Sequence, residues 1–305
     1  MRPTQRDIAR QLGVSVSLVS RALAGKAADI GAHPETIQRI RRKAEALGYV
    51  PSAAARQLRG TGQRVLGLVA ADLGDPFFGP ALAELIRQSH REGYALTLAG
   101  FERREPGLPD LNLLLQHHLD GLVVLGGGPL DWVKPFLDRR LPVVRIGSGP
   151  ARPGVREVTL DETLGMRSVV QHLLELGHRQ IAFVGAQIPV HERRLALARE
   201  LLTPHHLKLP PARAALIGPD VLEAGPAGVD QLAARSDGTW PTAIICSSDA
   251  VALGVLRGVA KHGLRVPEHV SVTGFDDLAL ARLSTPPLTS VRQPLAAMVA
   301  DALRL

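Results

Sequence analysis

Residues Thr4 to Leu23 read TQRDIARQLGVSVSLVSRAL, and their periodicity decides what the N-terminal part of the chain is. Thr4 stands just before an apolar-periodic run, where an N-cap oxygen takes up an unpaired N–H of the first turn. Ile8, Ala9 and Leu12 then share one helical face. Gly13 ends that helix, because glycine enters the left-handed conformation of a C-terminal cap without strain. Val14 fills the corner and Ser15 is a second N-cap. A new helix follows with Leu18, Val19, Ala22 and Leu23 on its apolar side and Val16, Ser17, Ser20 and Arg21 on the other. Two short helices across a glycine turn make a helix-turn-helix. Its second helix carries small and hydrogen-bonding residues near its N-terminus, as major-groove reading requires. A plain helical hairpin buried in a core shares the pattern.

Charge distinguishes the two readings. Met1 to Arg64 holds 12 Lys/Arg against 4 Asp/Glu, while the rest of the chain holds 24 against 25, for a total of +7. Charge that served solubility alone would be spread along the chain. Charge confined to the helix-turn-helix segment is the footprint of a nucleic-acid-binding module. The 305 residues are enough for two or three domains. No apolar run is long enough to span a bilayer, and MRPTQRD has no apolar stretch behind its charge, so it is not a signal peptide. The single cysteine, Cys246, lies in the apolar run TAIIC and reads as a buried core residue. These features together point to a soluble cytoplasmic protein without membrane partners.

Pro34 to Leu47 reads as a third helix, with Ile37, Ile40, Ala44 and Leu47 on one face and Arg39, Arg41, Arg42 and Lys43 placed for phosphates. Tyr49-Val50-Pro51 is extended. Ser52 to Arg59, SAAARQLR, has helix propensity but is too short to be stable alone, so it reads as a linker that orders only when something holds it. From Val65 the texture changes. Apolar runs VLGLVAA, LTLAGF, GLVVLGG, PVVRIGS, IAFVGA, TAIICSS and VSVTGF recur, most of them separated by helical segments. This is a doubly wound α/β pattern. It restarts near Gln180, where RQIAFVGA echoes RVLGLVAA, implying two similar α/β lobes with a cleft between them. Ligands in such sheets bind beyond the carboxyl ends of the strands. The expected organisation is 1–50 as a small all-α helix-turn-helix domain, 51–63 as hinge and linker, and 64–305 as a two-lobed core.

Seven stretches together resemble the LacI/GalR family of bacterial transcriptional regulators: DIARQLGVSVSLVSRAL, ALGYVPSAAARQLR, DPFF, HLLELGHRQIAFVG, SSDAVALG, LRVPEHVSVTGFDD and TPPLTSVRQP. They follow the family's order over nearly the whole chain. The resemblance implies a core like that of periplasmic sugar-binding proteins, a homodimer or tetramer on palindromic operator DNA, and a small, sugar-like effector that shifts DNA affinity, with repression the commoner outcome. It implies no cofactor. Carried over by position, Val16, Ser17 and Arg21 face bases, while Ser15 and Leu18 lie near the DNA backbone; Thr4 is a further DNA-binding position. Leu58, with Ala55 beside it, is the hinge wedge for the minor groove. Asp75, Phe77, Phe78, Asp161, Arg194, Ser248, Asp276 and Gln293 line the effector site. Their chemistry suits a polyol, with carboxylates accepting from hydroxyls, a guanidinium donating and an aromatic face covering a ring.

Departures from the family pattern are specific. The loop from Lys26 to Glu35 is about three residues longer than usual. Gly147-Ser148 stand where many sugar-binding members have Asp-Arg, Asp75 replaces a common asparagine, and Leu197-Ala198 replace Gly-Phe. Family members usually continue past the position of Leu305, which implies a truncated end and a second lobe short of its closing strand. Other chemistries find less support. His117-His118 and His205-His206 are adjacent pairs that would point to different helix faces, so no metal is expected. Gly126-Gly127-Gly128 is no phosphate loop. No GxSxG motif occurs, so no catalytic residue is expected and the chain does not read as an enzyme.

Overall fold

The structure, a computed structural model, describes residues 3–25, 27–49, 64–101, 105–235 and 239–305. Ala55, Leu58 and the hinge segment lie outside the described residues. The chain divides into two compact units, Met1–Gln63 and Arg64–Leu305.

In the first unit, α1 (Gln5–Leu12), α2 (Val16–Leu23) and α3 (Pro34–Ala46) surround a small core of Ile8, Ala9, Val19, Ala22, Ile40 and Ala44. Thr4 and Asp7 close a capping box: the Thr4 hydroxyl accepts from the Asp7 N–H at 3.3 Å, and the Asp7 carboxylate accepts from the Thr4 N–H at 2.9 Å. Gly13 takes φ 66° at the turn. Ser15 accepts from the Leu18 N–H at 3.1 Å. With so few buried residues, these caps do much to fix where α1 and α2 begin.

The second unit holds two five-stranded sheets, both wholly parallel. The first has the order β2-β1-β3-β4-β5 and comprises β1 (Val65–Ala70), β2 (Ala95–Gly100), β3 (Gly121–Leu125), β4 (Val143–Ile146) and β5 (Val155–Val158). It carries α4 (Phe78–Arg91), α5 (Leu108–Gln116) and α6 (Lys134–Leu137). The second has the order β10-β9-β8-β6-β7, from β6 (Ile181–Ala186), β7 (Ala214–Ile217), β8 (Ala243–Cys246), β9 (Ser271–Asp276) and β10 (Thr289–Arg292). Around it lie α7 (Glu162–Glu175), α8 (Pro189–Leu202), α9 (Val221–Arg235), α10 (Asp249–Lys261) and α11 (Ala279–Leu283).

Strand alternation explains the layering, since successive side chains point to opposite faces. On β6, Ala182, Val184 and Ala186 join a core with α9 and α10, while Ile181 and Phe183 join one with α7 and α8. The first sheet divides likewise: Val123 and Leu125 face α4, and Leu122 and Val124 face α5. The last helix, α12 (Leu295–Arg304), does not stay with the second lobe. Its Met298, Val299 and Ala302 complete the core of the first. Sequence reading gave the end of the chain to the second lobe; the apolar face of α12 is satisfied across the boundary instead. Strands β5, β7 and β10 and helix α12 were also not read from the sequence. The three strands have four residues each and are only partly buried; β5 (VREV) and β10 (TSVR) are interrupted by charged and polar residues, and β7 (AALI) is too short an apolar run to stand out.

Arg145 of β4 is completely buried. It donates to the carbonyls of Gly128, Gly149 and Pro150, each at 3.0 Å, and pairs with its cross-strand neighbour Glu157. The glycine-rich strand ends therefore serve each other. A Cβ on Gly127 would lie 2.6 Å from the Ser148 carbonyl oxygen, and one on Gly147 would lie 2.9 Å from that of Gly126.

Candidate functional site

On the first unit, α2 buries Val19 and Ala22 and leaves Val16, Ser17 and Arg21 exposed, with Val16 41% accessible. An exposed valine beside a serine and an arginine, on a helix whose opposite face is fully packed, is a surface suited to base edges and a thymine methyl. Leu18 is half-buried, and Thr4 and Ser15 are exposed while acting as caps.

On the second unit, the candidate ligand-binding groups gather beyond the carboxyl ends of β6, β8, β9 and β10. Asp276 is the last residue of β9, and Gln293 immediately follows β10. Gln293 Nε2 donates to Asp276 Oδ1 at 2.6 Å. Arg194, on the second turn of α8, brings Nη1 to 3.9 Å from the same Oδ1. Its guanidinium carbon lies 3.8 Å from the centroid of the Phe275 ring, a cation–π stack. Arg194 Nη1 also donates to the Ser247 carbonyl at 2.5 Å. Asp161 is the exposed N-cap of α7, accepting from the Thr163 N–H at 3.0 Å. Ser248 is the buried N-cap of α10, accepting from the Val251 N–H at 3.3 Å.

The backbone at Asp276 is unusual: φ is 115° there and 52° at Asp277, a left-handed pair without a glycine. Each such residue costs about 1–3 kcal/mol and persists only where its surroundings over-determine it. Here the surroundings are built by Asp249, which is fully buried. Its carboxylate accepts from the Ser290 hydroxyl at 2.5 Å and from the Leu278 N–H at 2.7 Å. Ser290 Oγ in turn accepts from the Asp277 N–H at 2.9 Å. Burial pushes the Asp276 carboxyl up to about 8, against the pull of Arg194 and Gln293, with the charges of Asp249 and Asp75 adding to the rise. Burial likewise raises Asp249.

From the first lobe, Asp75 caps the turn before α4 by accepting from the Phe77 N–H at 2.9 Å. Phe78 is a core residue, 8% exposed, and Phe77 is half-buried with its ring 5.5 Å from that of Phe78. Of the eight effector positions, the structure thus joins Arg194, Asp276 and Gln293 directly, couples Asp75 to them through charge, and gives Asp161 and Ser248 capping duties nearby. Sequence reasoning missed Glu162, Asp249 and Phe275. Glu162 is 8% exposed and pairs with Arg194 at 2.6 Å. From sequence, an acid in the first turn of a helix reads as a dipole complement, so only the fold could reveal its partner.

Among the described residues, no group of His, Cys, Asp and Glu is arranged to hold a metal ion, and no helix is long and apolar enough to cross a membrane.

Comparison with known proteins adds three findings. The profile of the periplasmic binding protein-like domain matches residues 170–305. The HTH-type transcriptional regulator GalS of Salmonella typhimurium is 31% identical over 310 residues, covering 99% of this chain and 88% of that protein. Two solved structures superpose over nearly the whole chain. One is the Lac repressor dimer bound to operator and the anti-inducer ONPF, with a TM-score of 0.82 at 24% identity, covering 100% of this chain and 92% of that one. The other is the transcriptional regulator CelR in complex with cellobiose, with a TM-score of 0.70 at 27% identity, covering 99% and 91%.

Proposed function

This chain belongs to the LacI/GalR family of transcriptional regulators, and from that premise we propose that it is a repressor whose affinity for a palindromic operator is set by a small sugar-like effector. The effector binds between the two α/β lobes of a homodimeric or tetrameric protein. One observation carries this reading: Arg194 and Gln293 converge on the same oxygen of Asp276 beyond the strand ends. A guanidinium, a carboxylate and an amide grouped against an aromatic ring present the donors and acceptors that a polyol needs. The complex of the similar CelR with cellobiose supports a sugar as the class.

On the DNA side, Val16, Ser17 and Arg21 read bases, Ser15 and Leu18 lie near the backbone, and Thr4 also takes part in DNA binding. Ala55 and Leu58 enter the minor groove. A ligand held by groups from both lobes favours one lobe orientation, and that orientation governs how two DNA-binding units fit two half-sites. The site's role is binding, not catalysis.

The test is an operator titration with and without a panel of neutral mono- and disaccharides, including cellobiose, on wild type and Asp276→Ala. The variant should keep effector-free operator binding and lose the response. A variant that loses operator binding outright would make Asp276 structural; one that responds fully would place the effector elsewhere. Linkage adds a check, because DNA must change effector affinity by the factor that effector changes DNA affinity.

A further inference from the structure

Arg194 has little left to offer an anion. Its Nε donates to Glu162 Oε1 at 2.8 Å, and its Nη2 lies 2.6 Å from the same oxygen. That Nε–Nη2 edge is one of the forks with which an arginine grips a carboxylate or phosphate in two parallel bonds. Nη1 is committed to the Ser247 carbonyl and faces Asp276, and one face of the guanidinium covers Phe275. Arg193 holds the other Glu162 oxygen, from Nε to Oε2 at 2.9 Å. Glu162 and Arg194 are 8% and 4% exposed, so this is a buried pair and not a screened surface contact.

We infer that Glu162 sets the charge of the ligand: as a built-in carboxylate on Arg194, it makes the cleft accept uncharged polyhydroxy compounds and reject those bearing carboxylate or phosphate. The inference rests on the effector reading of this site. An incoming anion has to displace Glu162, which leaves a buried carboxylate without its partner, the costly way to break such a pair. It also meets the Asp75 carboxyl. A neutral hydroxyl has neither difficulty. It accepts from an Arg194 N–H not taken by Glu162 and can exchange a hydrogen bond with Asp276 in either protonation state, donating to the carboxylate or accepting from the carboxylic acid. The position of Glu162 gives the contact a second consequence. It is the first residue of α7, just after the chain passes from β5 of the first lobe into the second.

The experiment uses the full chain as wild type, Glu162→Gln and Glu162→Asp, with thermal melting in glucuronate or inorganic phosphate against chloride at equal ionic strength and pH. Glutamine keeps the shape but not the charge. Aspartate withdraws the carboxylate by one methylene and is the second variant should glutamine fold poorly, as judged by circular dichroism. The expected result is that anions raise the melting temperature of a folded variant saturably, with apparent affinity about tenfold or more above wild type, the worth of a charge-assisted pair. Wild type that binds glucuronate or phosphate as tightly as the variants overturns the inference, as does a folded variant that gains no anion binding. The effector reading fails separately, if no small molecule of any charge alters operator binding. An anionic sugar acting as the wild-type effector would leave that reading intact and overturn this inference.

Discussion

Gln293 donates a 2.6 Å hydrogen bond to Asp276 from the point where the chain leaves β10 of the second lobe for α12 of the first. The Glu162–Arg194 pair sits at the other crossover, between β5 and α7. Both ionisable groups proposed to meet the effector are thus gripped by residues in the segments that pass between the lobes. A ligand that competes for Asp276 or Arg194 pulls directly on those crossovers.

Gln293→Ala removes that donor and leaves a buried carboxyl short of a partner. Thermal or urea unfolding should show a loss of about 1–3 kcal/mol. Effector-dependent release of operator should need a higher effector concentration, while effector-free binding stays near wild type. An unchanged effector midpoint would detach Gln293 from the switch.

Asp276 also predicts a pH dependence. Its carboxyl is at about 8 in the folded protein against 3.8 for the unperturbed group, so between those values the folded state binds more protons than the unfolded one. Its contribution to stability is fully present below about 4, declines as pH rises, and is gone above about 8. The slope approaches 1.4 kcal/mol per pH unit inside that window. The stability of wild type minus that of Asp276→Asn should therefore fall from pH 5 to pH 8 in denaturant titrations. A difference that is flat with pH would put the Asp276 carboxyl in the ordinary range.

Asp249 is predicted to act through Asp276. Asp249→Ala strips an acceptor from the Leu278 N–H and from the Ser290 hydroxyl, which together hold the left-handed turn. The stability loss should be about 2–5 kcal/mol, typical of a broken buried network. Asp249→Asn, which keeps an acceptor oxygen, should recover part of both stability and effector affinity. Gly274→Ala tests the same packing from the other side, since its Cβ would fall 2.1 Å from Asp249 Oδ1. Equal effector affinity in Asp249→Asn and Asp249→Ala would limit Asp249 to a general role in folding.

Arg21 is an exposed cation on the proposed base-reading side of α2. If it forks onto a guanine, Arg21→Ala weakens the cognate operator by about 1–3 kcal/mol and flattens discrimination at one base pair, with a smaller loss on random DNA. Equal losses on both DNAs, measured by anisotropy at one salt concentration, would make it a phosphate contact.

Much of this protein is legible in the sequence where one physical signal dominates. Thr4, Gly13 and Ser15 announce the ends of two helices because capping chemistry is local. The runs around Val65, Ile181 and Ala243 announce central parallel strands because both their faces are buried. Thr289–Arg292 gives no such signal, being half solvated. Arg194 and Asp276 are visible by resemblance, yet what surrounds them is not. Glu162 lies 32 residues from Arg194 in sequence, and Ser290 lies 41 from Asp249. No periodicity connects such partners; the sheet order does.

The return of α12 to the first lobe has a bearing on how the protein is made. The first sheet is complete in sequence by Val158, but Met298, Val299 and Ala302 of its core follow β10, the last described strand of the second sheet. Once β10 has been synthesised, the five described strands of the second sheet are present while the first lobe still lacks the wall that α12 supplies. The lobe begun earlier thus receives α12 only after the second sheet's strands, and until α12 docks, the side of α4 and β4 that it covers stays open to solvent and to chaperones. Ribosome-bound chains ending near Pro294 should hold a protease-resistant second lobe beside a first lobe that is still readily cut.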